Sequence, residues 1–192
     1  MADAGKDKYK GLLTWAVEIV TLLFTAFGGF LTNIAPPSQT GTQFAVGIVS
    51  FVLLVVLLIV TAVGRQAPGA LYRKRWIGAG VVCVVLFLPG AFFYWQSWER
   101  NTYGFPCNPS VARHVKATDQ DLTDVAVKWI QSNPGQASAC ELELNLPSDQ
   151  IWKPDAILAV SRRLLFLYTW LVVTLATALF SLVEANSPSA KK

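Results

Sequence analysis

Gly11 to Ile34, GLLTWAVEIVTLLFTAFGGFLTNI, is the stretch that decides the fold. It is apolar and long enough for one helix to cross a bilayer, which takes about 20 residues. Its small and polar residues nevertheless recur at alternating steps of four and three: Thr14, Glu18, Thr21, Thr25, Gly28 and Thr32. This spacing places them along one side of a helix, here called the first seam. Because hydrocarbon offers polar groups no partner, the first seam predicts contact with protein or water.

The composition of the whole chain is that of a membrane protein. Of its 192 residues, 15% are charged and 53% are hydrophobic, whereas about 25% are charged in a soluble domain. Charged residues are absent from residues 19–64, 76–98 and 164–183. We therefore predict an all-α polytopic membrane protein. Its four transmembrane helices are expected at residues 11–34, 44–64, 77–98 and 164–183.

A hydrophilic block, residues 99–156, separates the third predicted span from the fourth. It divides the chain into residues 1–98, the block itself, and residues 157–192. Within the block, residues 118–131 carry an apolar stripe and predict a helix capped by Thr118. Residues 141–146, ELELNL, alternate in polarity and predict a strand. The block is thus expected to be a small α+β insertion. Residues 155–163 also suit a helix, which would extend the fourth span into a rod of about 45 Å.

The positions of the basic residues predict the orientation in the membrane. Three lysines precede the first span, four basic residues lie in residues 65–75, and Lys191 and Lys192 end the chain. The loop between the first and second spans has none. Since cytoplasmic loops are enriched in Lys and Arg, both termini are predicted to be cytoplasmic and residues 99–156 extracytoplasmic. A plasma or inner membrane fits this arrangement.

The cysteines agree with that orientation. Cys107 and Cys140 are the two cysteines of the hydrophilic block. In an oxidising space they are predicted to form a disulfide, which would stabilise a block too small for a large core. The alternative is two free thiols in a reducing compartment, which would imply the inverted topology. Cys83 lies mid-span and is interpreted as a packing residue.

Glu18 is the strongest single signal for function. A carboxylate within a span costs a few kcal/mol to insert, so it is expected to be partnered, protonated or hydrated. It would then belong to an ion or proton path, or form a polar lock between helices. The structural interpretation is that it faces headgroups or a vestibule, or bonds a hydroxyl such as that of Thr61. The first seam as a whole fits either close helix packing or a pore lining.

A second, weaker seam lies on the fourth span. It consists of Thr174, Thr177, Ser181 and Glu184, again at steps of three and four. We expect the cytoplasmic half of this helix to lie against the cytoplasmic half of the first span.

Three further residues are candidates for contact with lipid headgroups. Arg162 and Arg163 precede the fourth span, where cations commonly extend toward lipid phosphates. Alternatively, one of them pairs with an acid of the hydrophilic block. Trp152, in IWKP, is expected to rest at the membrane interface. His114 has no second histidine or cysteine pair at metal-binding spacing and is interpreted as a surface residue.

The sequence lacks the motifs of the common enzymes. It contains no phosphate loop, no GxSxG and no HExxH. We therefore predict no catalysis, no cofactor and no metal. The basic residues sit beside spans rather than on a separate module, so nucleic acid is not an expected partner. The layout is similar to that of tetraspanins, but the Cys-Cys-Gly signature of their large loop is absent, so no family is assigned.

Two functions remain. The first is a non-enzymatic interaction or assembly subunit, which binds partners through its extracytoplasmic block and the first seam. The second is an oligomeric channel or pore in which Thr14, Glu18, Thr21 and Thr25 line an ion path. Both imply a lipid bilayer and either a homo-oligomer or a larger membrane complex as partners.

Overall fold

The structure, a computed structural model, describes residues 36, 42–64, 69–104 and 113–186. This part of the chain is mostly helical, as predicted. Its long helices are α1 (Thr42–Gly64), α2 (Gly69–Asn101) and α5 (Pro154–Ala185). Between α2 and α5 lie β1 (Thr102–Gly104), β2 (Arg113–Val115), α3 (Asp124–Ser132) and α4 (Ala139–Asn145), with 3-10 turns at Asp119–Asp121 and Ser148–Gln150. The first predicted span, and with it the first seam, falls outside the described residues.

Among the residues that the structure describes, two helices are long and apolar enough to cross a membrane. They cover Leu71–Asn101 and Pro154–Ala185, and they contain the third and fourth predicted spans. α5 is continuous over 32 residues, about 48 Å at 1.5 Å per residue, which confirms the predicted rod. α1 matches the second predicted span in position, but its described apolar stretch, Gly47–Ala62, is shorter than these two.

One side of α1 is buried through the middle of the helix, which differs from the sequence-based prediction. The aliphatic middle of this helix is expected to face lipid, with contacts only at its ends. Instead, Val49, Leu53, Leu57 and Thr61, at steps of four residues, are all buried. Leu53 and Leu57 belong to one cluster with Ala176 and Phe180 of α5. A helix that is aliphatic all round has no periodicity to reveal which face is buried.

α2 and α5 approach each other at two glycines. A Cβ atom on Gly80 would lie 3.4 Å from the Ser181 Cβ, whereas one on Gly78 would have no described atom within 4 Å. The sequence predicts close helix approach at both glycines, near the start of the third span. This is right for Gly80, whereas no described residue comes close to Gly78. At Gly90, a Cβ atom would lie only 2.6 Å from Cδ1 of Trp170. That ring also donates a 3.2 Å hydrogen bond to the Leu86 carbonyl, in the turn before Pro89.

Residues 102–104 and 113–153 form a small unit with its own core, here called the polar module. β1 and β2 pair antiparallel, with Tyr103 opposite His114. The core consists of Ala117, Ala126, Leu142, Ile151 and Trp152. Burial of these apolar side chains is the main stabilising contribution to the module.

The prediction of a strand at residues 141–146 is wrong, because residues 141–145 lie in the helix α4 and Leu146 is its C-cap. Ser138 accepts a hydrogen bond from the backbone N–H of Glu141, and the Glu141 carboxylate accepts one from the Ser138 N–H. This reciprocal capping box satisfies two free donors and starts the helix. A six-residue alternation is too short to outweigh it.

The helix predicted at residues 118–131 begins later than expected. α3 is capped by Thr123, which accepts a hydrogen bond from the Ala126 N–H at 3.2 Å. The Thr118 hydroxyl donates a 2.5 Å hydrogen bond to Oδ2 of Asp121 and does not cap α3. Residues 119–121 form a separate 3-10 turn.

The polar module is joined to both long helices without a linker. α2 ends at Asn101 and β1 starts at the next residue. On the other side, Leu122 and Trp152 form an antiparallel β-bridge, and the Lys153 N–H donates to the Asp121 carbonyl at 2.9 Å. α5 starts at Pro154, a favoured first helical residue because it needs no N–H partner.

Candidate functional site

A tyrosine, a glutamate and a histidine meet on the polar module. The Tyr103 hydroxyl donates to Oε2 of Glu143. Nδ1 of His114 lies 2.8 Å from the other carboxylate oxygen, Oε1. Pairing of β1 with β2 places Tyr103 beside His114, and α4 brings Glu143 to them. His114 is therefore not a free surface residue, although 40% of its side chain is exposed, compared with 9% for Glu143.

This arrangement resembles a base held by a carboxylate, the orienting half of several catalytic sites. Covalent catalysis at such a site would also require a nucleophile, and metal-assisted hydrolysis would require a metal. Within residues 36, 42–64, 69–104 and 113–186, no group of three His, Cys, Asp or Glu side chains could hold a metal ion. The contacts that are present connect β1, β2 and α4, so they stabilise the module.

The environment of this cluster raises the pKa of the Tyr103 hydroxyl. Burial raises it above the usual range first, and the hydrogen bond and negative charge of Glu143 raise it further. The folded module therefore favours the neutral phenol. A raised pKa contributes stability that is complete below the unfolded-state value, about 10, and is lost as the pH rises toward the folded-state value.

We expect the Tyr103→Phe variant to be less stable than the wild type at neutral pH, because it loses the bond to Glu143. The difference in unfolding free energy should shrink as the pH rises from about 9 to about 11, since only the wild type loses the contribution of the neutral phenol. Urea unfolding followed by tryptophan fluorescence at both pH values measures it. A difference that stays constant with pH would show that Tyr103 does not titrate with the predicted shift.

The second seam lies inside the helix packing. Thr174, Thr177, Ser181 and Glu184 are all buried. Their hydrogen bonds run along α5 and across to α2. Ser181 donates to the Thr177 carbonyl at 2.7 Å, and the Tyr72 hydroxyl donates to Oε2 of Glu184 at 2.5 Å. This side of α5 therefore meets protein rather than hydrocarbon.

Two buried polar atoms beside the second seam lack a hydrogen-bond partner in the described part of the chain. They are Oγ1 of Thr177 and Nε1 of Trp76. The Trp76 ring packs edge-on against Phe180, with centroids 5.4 Å apart. The expected contact between this seam and the first span involves residues outside the described ranges. The Thr61 hydroxyl, a suggested partner of Glu18, donates to the Leu57 carbonyl at 2.6 Å.

The other predicted site residues have mixed outcomes. Arg162 and Arg163 are exposed, and neither forms an ion pair with a described residue. Trp152, expected at the membrane interface, is instead only 5% exposed and packs in the core of the polar module. Its β-bridge with Leu122 turns the ring inward. Cys140 is buried, and Cys83 is the free cysteine of the described residues. Cys107 lies outside them, so its disulfide with Cys140 stays a prediction.

Sequence reasoning missed Tyr72, Tyr103 and Glu143. Tyr72 lies in the basic segment before the third span, and its partner Glu184 is 112 positions away. Glu143 lies in the segment assigned to a strand, so its helical placement beside His114 was not foreseen. The Ser138-x-x-Glu141 capping signature was the available signal for that helix.

Comparisons with known proteins found no relative. No protein-family model matches the chain, and neither does any curated protein or any solved structure.

Proposed function

We propose that this chain is a non-enzymatic interaction or assembly subunit of a membrane complex, which binds a partner through its polar module. In this proposal four helices span the membrane, both termini are cytoplasmic and residues 99–156 are extracytoplasmic. The Cys107–Cys140 disulfide closes the module, and the first seam meets another helix of the same or a second chain.

The observation that carries the proposal is the direct attachment of the polar module to two long helices. β1 follows α2 without a gap, and Ile157 of α5 packs against the module core. A module held in this way has a fixed pose over the membrane surface. A partner bound to it would be held in a defined position relative to the spans, at little cost in conformational entropy.

The surfaces of the helices support a membrane location. α2 exposes large apolar side chains along its length, among them Val81, Val85, Leu88 and Phe92. Only 17% of the most apolar 18-residue stretch of α2 is buried. In water, such a surface would strongly favour aggregation, whereas in a bilayer it is solvated by lipid.

Site-specific photo-cross-linking in native membranes tests the proposal. Leu144 on α4 and Val125 on α3 are exposed on the polar module. A photoreactive phenylalanine analogue at either position should give a discrete product of higher mass. Val82, exposed on α2, is the matched control and should give mainly lipid adducts. If both module positions yield only the uncross-linked chain, the module has no partner and the proposal fails.

The pore remains the other function, and it depends on Glu18. The second seam, being covered by protein, supports a helix contact more than an ion path. Glu18→Gln separates the two functions in reconstituted bilayers. A channel should change its ion permeability or its pH dependence while assembly stays intact. An assembly subunit should instead lose association or show no change in permeability.

A further inference from the structure

A cleft of about 400 Å³ lies where the polar module meets the ends of the two long helices. Its lining includes three cations, Arg100, Lys116 and Arg163, together with Ser97 and the carboxylate of Asp119. The cations come from three different elements. Arg100 is in the last turn of α2, Lys116 follows β2, and Arg163 lies on α5. The cleft is therefore formed only when the helices and the module pack together.

The backbone holds these elements in place. The N–H of Lys116 donates to the Asn101 carbonyl at 2.8 Å, which ties the segment after β2 to the end of α2. The side-chain amide of Asn101 donates to the backbone carbonyl of Ser97 at 2.8 Å and to the Ser97 hydroxyl oxygen at 3.2 Å. Since the Ser97 oxygen accepts that bond, its own proton can be donated to a ligand. Ser97 is itself buried.

The three cations have no counter-charge in contact among the described residues. Across the described residues, none of them comes within 4.0 Å of a carboxylate oxygen. Asp119 also lines the cleft, so the formal charges there sum to +2. The negative end of the α2 dipole favours Arg100 at its position, but it does not explain Lys116 or Arg163. Clustered cations without partners repel one another, and an anion with several oxygens would relieve that repulsion.

We propose that this cleft binds a phosphate group. Two guanidinium groups and an ammonium provide donors that suit tetrahedral phosphate oxygens, and the buried Ser97 hydroxyl adds a neutral donor. Two kinds of ligand could supply this phosphate group. It belongs either to the headgroup of an anionic phospholipid or to a soluble phosphate that enters from the aqueous side. This inference does not depend on the proposed assembly role.

Arg162 and Arg163 provide a matched pair of variants for the test. They are adjacent and both exposed, but only Arg163 lines the cleft. The full chain would be purified as the wild type, Arg163→Gln, Lys116→Gln and Arg162→Gln, with thermal unfolding as a check that each variant is folded. In the lipid arm, native mass spectrometry measures phosphatidylglycerol retained in mild detergent. In the soluble arm, calorimetry measures binding of inorganic phosphate to chains in phosphatidylcholine nanodiscs.

We expect Arg163→Gln and Lys116→Gln each to weaken binding about tenfold, the effect of losing one charge-assisted hydrogen bond. Arg162→Gln should leave binding unchanged. If these two variants retain less phosphatidylglycerol, the cleft binds a lipid headgroup. If they bind inorganic phosphate more weakly, the cleft binds a soluble phosphate. If neither probe binds the wild type, or if Arg162→Gln weakens binding as much as Arg163→Gln, the inference is overturned.

Discussion

The Leu142→Ala variant is expected to lose about 2–5 kcal/mol of stability in the polar module, the usual cost of a large cavity in a packed core. Leu142 is 2% exposed and packs with Ala126, Ile151 and Trp152. Because the module is small, it has few other apolar contacts to compensate. Hydrogen exchange of the amides in α3 and α4, measured on the full chain in nanodiscs, reports the free energy of opening.

Leu144→Ala is the matched control, since Leu144 lies two residues further along α4 and is 57% exposed. The free energy of opening of this variant should stay within about 0.5 kcal/mol of the wild-type value. The pair also distinguishes the helix α4 from the strand that the sequence predicts at residues 141–146. On the predicted strand, residues 142 and 144 would share one face, and both variants would cost the same. Equal losses would thus contradict the helical assignment of α4.

The Gly90→Ala variant is expected to destabilise the packing of α2 on α5 by about 1–3 kcal/mol, as overpacking does. The added Cβ would lie 2.6 Å from the Trp170 ring, which must move. Movement of the ring breaks its bond to the Leu86 carbonyl, beside the turn where Pro89 already removes one helical N–H. Thermal unfolding in detergent, followed by tryptophan fluorescence, measures the loss.

Gly78→Ala provides the comparison on the same helix. A Cβ there meets no described atom within 4 Å, and alanine favours a helix over glycine by about 1 kcal/mol. This variant should therefore be as stable as the wild type or slightly more stable. If Gly90→Ala were as stable to heat as Gly78→Ala, the close contact between Gly90 and Trp170 would be contradicted.

The long apolar helices could be predicted from sequence because their signal is local. Uncharged runs of sufficient length predicted helices at residues 77–98 and 164–183, and both lie within longer helices. The second seam was also readable, since steps of three and four place Thr174, Thr177 and Ser181 on one side of any helix. Their burial agrees with the expectation that polar side chains in a span turn toward protein.

Other features depended on contacts between distant residues. The buried face of α1 was invisible in an aliphatic sequence, and the close approach at Gly90 depended on the position of Trp170. Likewise, Trp152 looked like an interfacial tryptophan until its β-bridge to Leu122 placed it in a core. In each case the sequence specified the side chain, but the partner came from another part of the chain.

By itself, the sequence of this protein determined its helical, membrane-compatible character, because hydrophobicity and helical periodicity are properties of consecutive residues. Only the tertiary structure decided which faces are buried, which carboxylates are paired and which cations meet in the cleft. The physical reason is that Tyr72 with Glu184, His114 with Glu143, and Arg100 with Arg163 are each brought together by packing of separate elements. No local pattern of residues encodes those distances.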